Sequence, residues 1–368
     1  MTLQVPPHSA TANAPEQVRR TYHTLDLLRG VAAVLVVLHH AEYVLGYAPV
    51  PNGYLAVDLF FVLSGFVISY AYDQRLASGL SVGKFTLIRI IRFWPLYFLG
   101  LSFGFMFEAL LSLTHNSFAM PIRTVVAAYA AGLIFLPAFF HTRANALYPL
   151  NGVAWSLFFE LVVNVLYAAL FPLLKDKVLK YIAILSGIGF AVFALDRGST
   201  NVGWIVPDIW PGLLRTIFSF TVGVYIYRRK ITVFRVPVWL LVAAVAFFMS
   251  FPVSKGYENA FCLVFILIGS PLIVAAGASV DVRPKFIWVA TLLGTMSYAI
   301  YAIHRPLLSF ANTIGGRLES PPLLTYVVYF VLVCILCLAL DRYFDVPLRQ
   351  WLMARMGLTK SKLQSKTA

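Results

Sequence analysis

The sequence predicts an all-α, polytopic integral membrane protein with about ten transmembrane helices and one further segment that is re-entrant. Three observations carry this expectation. Hydrophobic residues make up 60% of the 368 residues and charged ones only 12%. The mean hydropathy is +0.81. The apolar residues are gathered into runs, many of them close to the roughly 20 residues that a helix needs to cross a bilayer. The formal charge of +14 could point to nucleic acid, but Lys and Arg cluster between the apolar runs, as the positive-inside rule requires, so no nucleic-acid partner is expected.

The runs lie near 27–45, 55–72, 93–113, 124–140, 153–173, 178–195, 209–227, 236–253, 260–278, 287–311 and 322–341. Basic residues follow the second run (Lys84, Arg89, Arg92), the fifth (Lys175, Lys177, Lys180), the seventh (Arg228, Arg229, Lys230), the ninth (Arg283, Lys285) and the last (Arg342, Arg349, Arg355, Lys360). All of these share one side of a membrane only if an odd number of crossings separates Arg92 from Asn151. Two runs fill that interval, so the short one at 124–140, broken by Pro137, is expected to be re-entrant or interfacial. Ten spans result, with both termini cytoplasmic. The expected organisation is a tail at 1–23, a membrane domain at 24–350 and a basic tail at 351–368. Residues 1–20 are rich in Pro and Ala, and no small-residue cleavage site interrupts the run that follows, so no cleavable signal peptide is expected. Cys262, Cys334 and Cys337 fall in apolar runs and read as small packing residues, with no metal implied.

Polar residues inside these runs are the candidate site, because an ionisable group at membrane depth costs about 2.5–3.5 kcal/mol even on the lenient scale. Arg29 and His40 are eleven residues apart, three helical turns, so they share one face over about 16 Å of rise. Together they suggest a polar path from a membrane surface inward, with His39 pointing elsewhere. Asp58 is a lone carboxylate among apolar neighbours that either finds a partner or interacts with a helix N-terminus. Arg89 and Arg92 share a face at the mouth of the third span, a geometry equally suited to phosphate oxygens and to lipid headgroups. Glu160, flanked by Phe158, Phe159, Leu161 and Val162, has to face a polar interior, with Asn164 one turn later on the same face. Trp94, Trp204, Trp210, Trp239 and Trp288 fall near span ends and read as an interfacial belt without chemistry.

Taken in order, LDLLRGVAAVLVVLHH, GYLAVDLFFVLSGFVIS, RIIRFWPLY, NGVAWSLFFE, SYAIYAIHRPLL and YFDVPLR resemble the membrane-bound acyltransferase-3 family of bacterial O-antigen, exopolysaccharide and nodulation-factor acyltransferases, from about residue 24 to 350. The resemblance implies a bacterial inner-membrane enzyme that moves an acyl group, most often acetyl, from cytoplasmic acyl-CoA to a hydroxyl of a carbohydrate or glycolipid. It makes His40 the catalytic residue, either taking the hydroxyl proton or carrying the acyl group, and it pairs Asp58 with that histidine. It assigns Arg89 and Arg92 to the phosphates of coenzyme A, with Arg29 and Lys84 as helpers. It makes Glu160, Asn164, Tyr301 and His304 substrate-binding or structural candidates. Leu161 stands where a second acid is frequent, and Arg305 where an aromatic is usual. Ten spans with polar residues at mid-depth would also suit a transporter or flippase. A non-catalytic scaffold for polysaccharide assembly is a third reading.

Overall fold

The computed structural model describes residues 20–233 and 235–358 and is a bundle of helices. They are α1 (His23–His39), the single turn α2 (Glu42–Leu45), α3 (Ala56–Ala77), α4 (Val82–Leu113), α5 (Ile122–Leu133), α6 (Ala154–Leu170), α7 (Asp176–Arg197), α8 (Ile209–Arg228), α9 (Val238–Ser250), α10 (Glu258–Val264), α11 (Ser270–Ser279), α12 (Ile287–Arg317), α13 (Pro322–Leu340) and α14 (Val346–Arg355). The tails at 1–23 and 351–368 lie largely outside the described residues, although α14 carries the fold past the expected boundary at 350.

Among the described residues nine helices are long and apolar enough to cross a membrane, α10 and α11 counting as one. The run at 236–253 was expected to be a full-length span and instead forms the 13-residue α9. Proline explains the difference. Pro237 caps the start, and Pro252 pushes Phe251 into an extended conformation (φ −70°, ψ 118°) that ends the helix. The run still extends from one end of α1 to the other. Its first residues, Val236 and Pro237, share a cavity with Arg20 ahead of α1, while Asn52 beyond the far end of α1 donates to Phe248 O (3.3 Å) and Phe251 O (3.0 Å).

The run at 124–140, expected to be re-entrant or interfacial, folds back on itself part-way along α4. α5 descends antiparallel to α4 through Ser102–Tyr129, Tyr97 Oη to Gly132 O (2.7 Å) and Trp94 Nε1 to Leu133 O (3.4 Å), which reaches only the middle of α4. The chain turns back at Phe135, whose φ of 61° is the left-handed conformation that a non-glycine residue adopts only under constraint. Tyr148 supplies part of that constraint by donating to Phe135 O (2.6 Å), and burial holds its phenol well above the ordinary range. The segment closes through Leu147 N to Trp204 O (2.9 Å) at the end it came from.

Parallel pairs of helices position the site. α3 and α8 cross at glycines: a Cβ on Gly65 would lie 2.0 Å from Phe220 O, and one on Gly223 2.0 Å from Val62 O. Ion pairs clamp both ends of this crossing, Asp58–Arg215 and Asp73–Arg228. α1 and α12 also run parallel and pack closely at Gly30 against Leu293 and Gly294 against Asp26.

A labelling experiment checks this topology. Single cysteines at Asn201 and Ser78, in a background with the native cysteines replaced, should react with an impermeant thiol reagent from opposite sides; labelling of both from one side contradicts the arrangement.

Candidate functional site

Two cavities open towards opposite ends of the bundle, and both are lined by Val57 and Tyr301. The larger, about 480 Å³, lies at the end away from Lys84 and is lined by His39, His40, Tyr43, Trp155, Trp204 and Arg305 among others. The smaller, about 170 Å³, is lined by Arg29, Arg89, Arg92, Ser64, Glu160 and Tyr298.

Arg29 and His40 do share a face, the one that α1 turns towards α12. Arg29 donates to Ser297 Oγ (3.0 Å), Asp26 Oδ1 (2.8 Å) and Gly294 O (3.2 Å). His40, the C-cap of α1, meets His304 on α12. Their hydrogen bonds assign the protons, because a carbonyl can only accept. His304 Nδ1 lies 2.9 Å from Ile300 O and therefore carries its hydrogen, which leaves Nε2 as an acceptor in the neutral ring. His40 Nδ1 lies 2.9 Å from Val36 O and 3.2 Å from His304 Nε2, so its N–H is shared between them. The remaining nitrogen of His40, Nε2, carries a lone pair and makes no hydrogen bond to a described residue. His39 is anchored by Nδ1 to Val50 O (2.8 Å).

The site is braced by neighbouring tyrosines and an asparagine. Tyr326 and Tyr329 on α13 donate to Val37 O (2.9 Å) and His304 O (2.8 Å). Pro306 cannot donate to the carbonyl one turn back, and Asn151 Nδ2 takes up that freed Ala302 oxygen at 2.8 Å.

The expected pairing of Asp58 with His40 is not found. Both Asp58 oxygens are engaged by Arg215, at 2.7 Å from Nε and 2.5 Å from Nη2, with both side chains fully buried. Arg215 Nη1 also donates to Thr200 O (3.1 Å) and Val202 O (3.3 Å). A carboxylate at this depth takes the strongest complementary partner, a bidentate guanidinium. Asp58 therefore holds, through Arg215, the loop ahead of α8, and His40 is held instead by Val36 O and His304.

Three further residues take the following places. Glu160 lines the smaller cavity, away from His40, and accepts from Ser64 Oγ (2.5 Å) and Arg89 Nη2 (3.4 Å). Asn164 is fully buried and lines neither cavity, because one helical turn carries it past the polar pocket. Trp204, read as an interfacial residue, lines the larger cavity, held there by the Leu147 hydrogen bond to its carbonyl. Tyr301 stays central, with its hydroxyl 2.6 Å from Ser156 Oγ. Arg305 stacks on Tyr43, 3.6 Å from the ring centroid.

At the basic end Arg89 lies over Phe93 (4.8 Å) and Arg92 over Tyr298 (4.9 Å). Arg92 forms an ion pair with Asp345 at 3.8 Å and makes no hydrogen bond to a described residue. Sequence reasoning missed Arg215, although a lone arginine inside the apolar run WPGLLRTIFSF is itself a signal. It also missed Ser297 and Tyr298, which carry no charge to reveal them.

The bundle thus carries a guanidinium-lined cavity at one end and a hydrogen-bonded imidazole pair at the other. A family profile described as an acyltransferase domain matches residues 22–342, and the chain belongs to this acyltransferase-3 family, as the motifs implied. Over 154 residues it is 42% identical to "Protein 2 in picA locus" of Rhizobium radiobacter, a match covering 39% of this chain and 79% of that protein. No solved structure matches. The chain is a membrane acyltransferase. Among the described residues no group of three or more His, Cys, Asp or Glu side chains is placed to hold a metal ion.

Proposed function

We propose that the protein moves an acyl group, acetyl by the family resemblance, from acyl-CoA to a hydroxyl of a carbohydrate or glycolipid at the inner membrane of a bacterium. The observation that carries this reading is the pair of cavities sharing Val57 and Tyr301. By the positive-inside rule the end with Lys84, Lys177, Arg229 and Lys285 is cytoplasmic, as are both termini, so the arginine-lined cavity faces the acyl-CoA pool. Arg29, Arg89 and Arg92 take the donor's phosphates, and the pantetheine arm runs inward past Tyr301. The acceptor enters the larger cavity, where Trp204, Tyr43 and Trp155 offer flat faces to a sugar ring.

His40 Nε2 takes the proton of the acceptor hydroxyl as its oxygen attacks the thioester carbonyl. The resulting imidazolium is stabilised by the hydrogen bond from Nδ1 to His304. The proton then passes to the departing thiolate, so acid and base are one ring. Holding thioester and hydroxyl together at the junction supplies much of the rate.

Donor binding has its own test. Arg89→Ala or Arg92→Ala should raise KM for acetyl-CoA by about tenfold or more, the value of a charge-assisted contact. Lys should restore only part, because it lacks the planar fork. Full rescue by Lys at both positions would mean that charge alone matters there.

A further inference from the structure

The C-terminal motif YFDVPLR is placed at the mouth of the arginine-lined cavity, and neither the family match nor the reading above gives it a task. Pro347 has no N–H to continue the helix, and the chain passes through one π-helical turn, Asp341–Asp345, before α14 begins. Asp345 follows on the inner side, 1% exposed, with Arg349 at 2.7 Å and Arg92 at 3.8 Å. One buried carboxylate thus sits between two guanidinium groups. Asp341, one turn earlier, is not within ion-pair distance of either.

This carboxylate does not satisfy the arginines. Arg92 Nη1 and Arg349 Nε are buried without a hydrogen-bond partner among the described residues, and so are both oxygens of Asp345, so the ion pairs leave hydrogen-bonding capacity on every member of the cluster. Buried polar groups are normally paired, and adjacent orphan donors on two arginines suit a ligand dense in acceptor oxygens. A purely structural cluster would place Asp345 within hydrogen-bonding distance of both side chains. Here Arg92 is kept beyond it, oriented by Tyr298 and by the field of Asp345.

We propose that Arg349 is a further donor-binding residue that receives the 3′-phosphate of coenzyme A, with Asp345 as the positioning residue that holds Arg349 and Arg92 side by side. The assignment rests on the donor reading above and follows from order along the ligand. Coenzyme A runs from thiol through pantetheine and pyrophosphate to the ribose 3′-phosphate. With the thioester at the Tyr301 junction, Arg29, Arg89 and Arg92 line the cavity that the pyrophosphate enters. Arg349 lies outside that lining and meets the same Asp345 oxygen as Arg92, one step beyond the cavity, where the last phosphate arrives.

Calorimetry on the purified full-length protein, with coenzyme A and 3′-dephospho-coenzyme A as probes, tests this. The wild type should bind coenzyme A about tenfold or more tightly than the dephospho form, the value of one charge-assisted contact. Arg349→Gln should erase that discrimination by weakening coenzyme A, and Arg349→Lys should restore part of it. Asp345→Asn should weaken both probes, because Arg92 loses its anchor too, and Asp345→Glu should recover part of the loss. Equal weakening of both probes by Arg349→Gln, or a wild type that does not discriminate, overturns the assignment while leaving the donor reading intact. Failure to bind either probe overturns the donor reading and this inference with it.

Discussion

His40→Ala is expected to lower acyl transfer by roughly 10²–10⁴-fold, the contribution of a positioned general base, while insertion and donor binding stay intact. Alanine is at least as well tolerated as histidine at membrane depth, so a loss of activity would report on chemistry. His39→Ala, one residue away, should be mild, since that ring is occupied with Val50 O. The neighbouring ring gives a finer test. His304→Leu removes one of the two acceptors for the His40 N–H, leaving Val36 O, and should cost activity, whereas His304→Gln, whose side-chain oxygen can still accept, should retain part of it. A Gln variant as inactive as the Leu variant would mean that His304 acts through packing alone. Equal losses at His39 and His40, measured as acetyl transfer from labelled acetyl-CoA, would remove the catalytic assignment.

Helical spacing made part of this site legible. The eleven-residue interval between Arg29 and His40 defines one face of α1, and that face does meet α12. The parity of basic loops and Pro137 pointed to the run at 124–140 as the one that does not pass straight along the bundle. Spacing says which residues share a face, however, and not what lies across from it. Asp58 finds its partner 157 residues away, and His40 finds His304 at a separation of 264, distances over which no local period speaks. The shortness of α9 was within reach, because Pro237 and Pro252 bracket it. Asp345 and Arg349 were visible as a motif, but their meeting with Arg92 depends on how α14 packs on α4.

The buried pair Asp58–Arg215 should have the largest effect on stability. Asp58→Asn leaves a fully buried guanidinium without its counter-charge, and breaking such a pair by removing one partner costs about 3–5 kcal/mol. The midpoint at which the detergent-solubilised protein loses its monodisperse peak on heating should fall steeply, and activity with it, because the loop that carries Trp204 is tied down through Thr200 O and Val202 O. Asp58→Leu combined with Arg215→Met should recover most of the thermal stability, since an apolar pair of similar volume removes both desolvation costs. The double variant separates the two roles open to Asp58. As an anchor for α3 and α8 it becomes dispensable once the core is repaired, and transfer should return in step with stability, short of what the loop loses with Arg215. As the partner of His40 it would not, and a stable double variant would remain as inactive as His40→Ala. Recovery of stability without any recovery of transfer would return Asp58 to the catalytic machinery and take His304 out of its place as a group that orients the base.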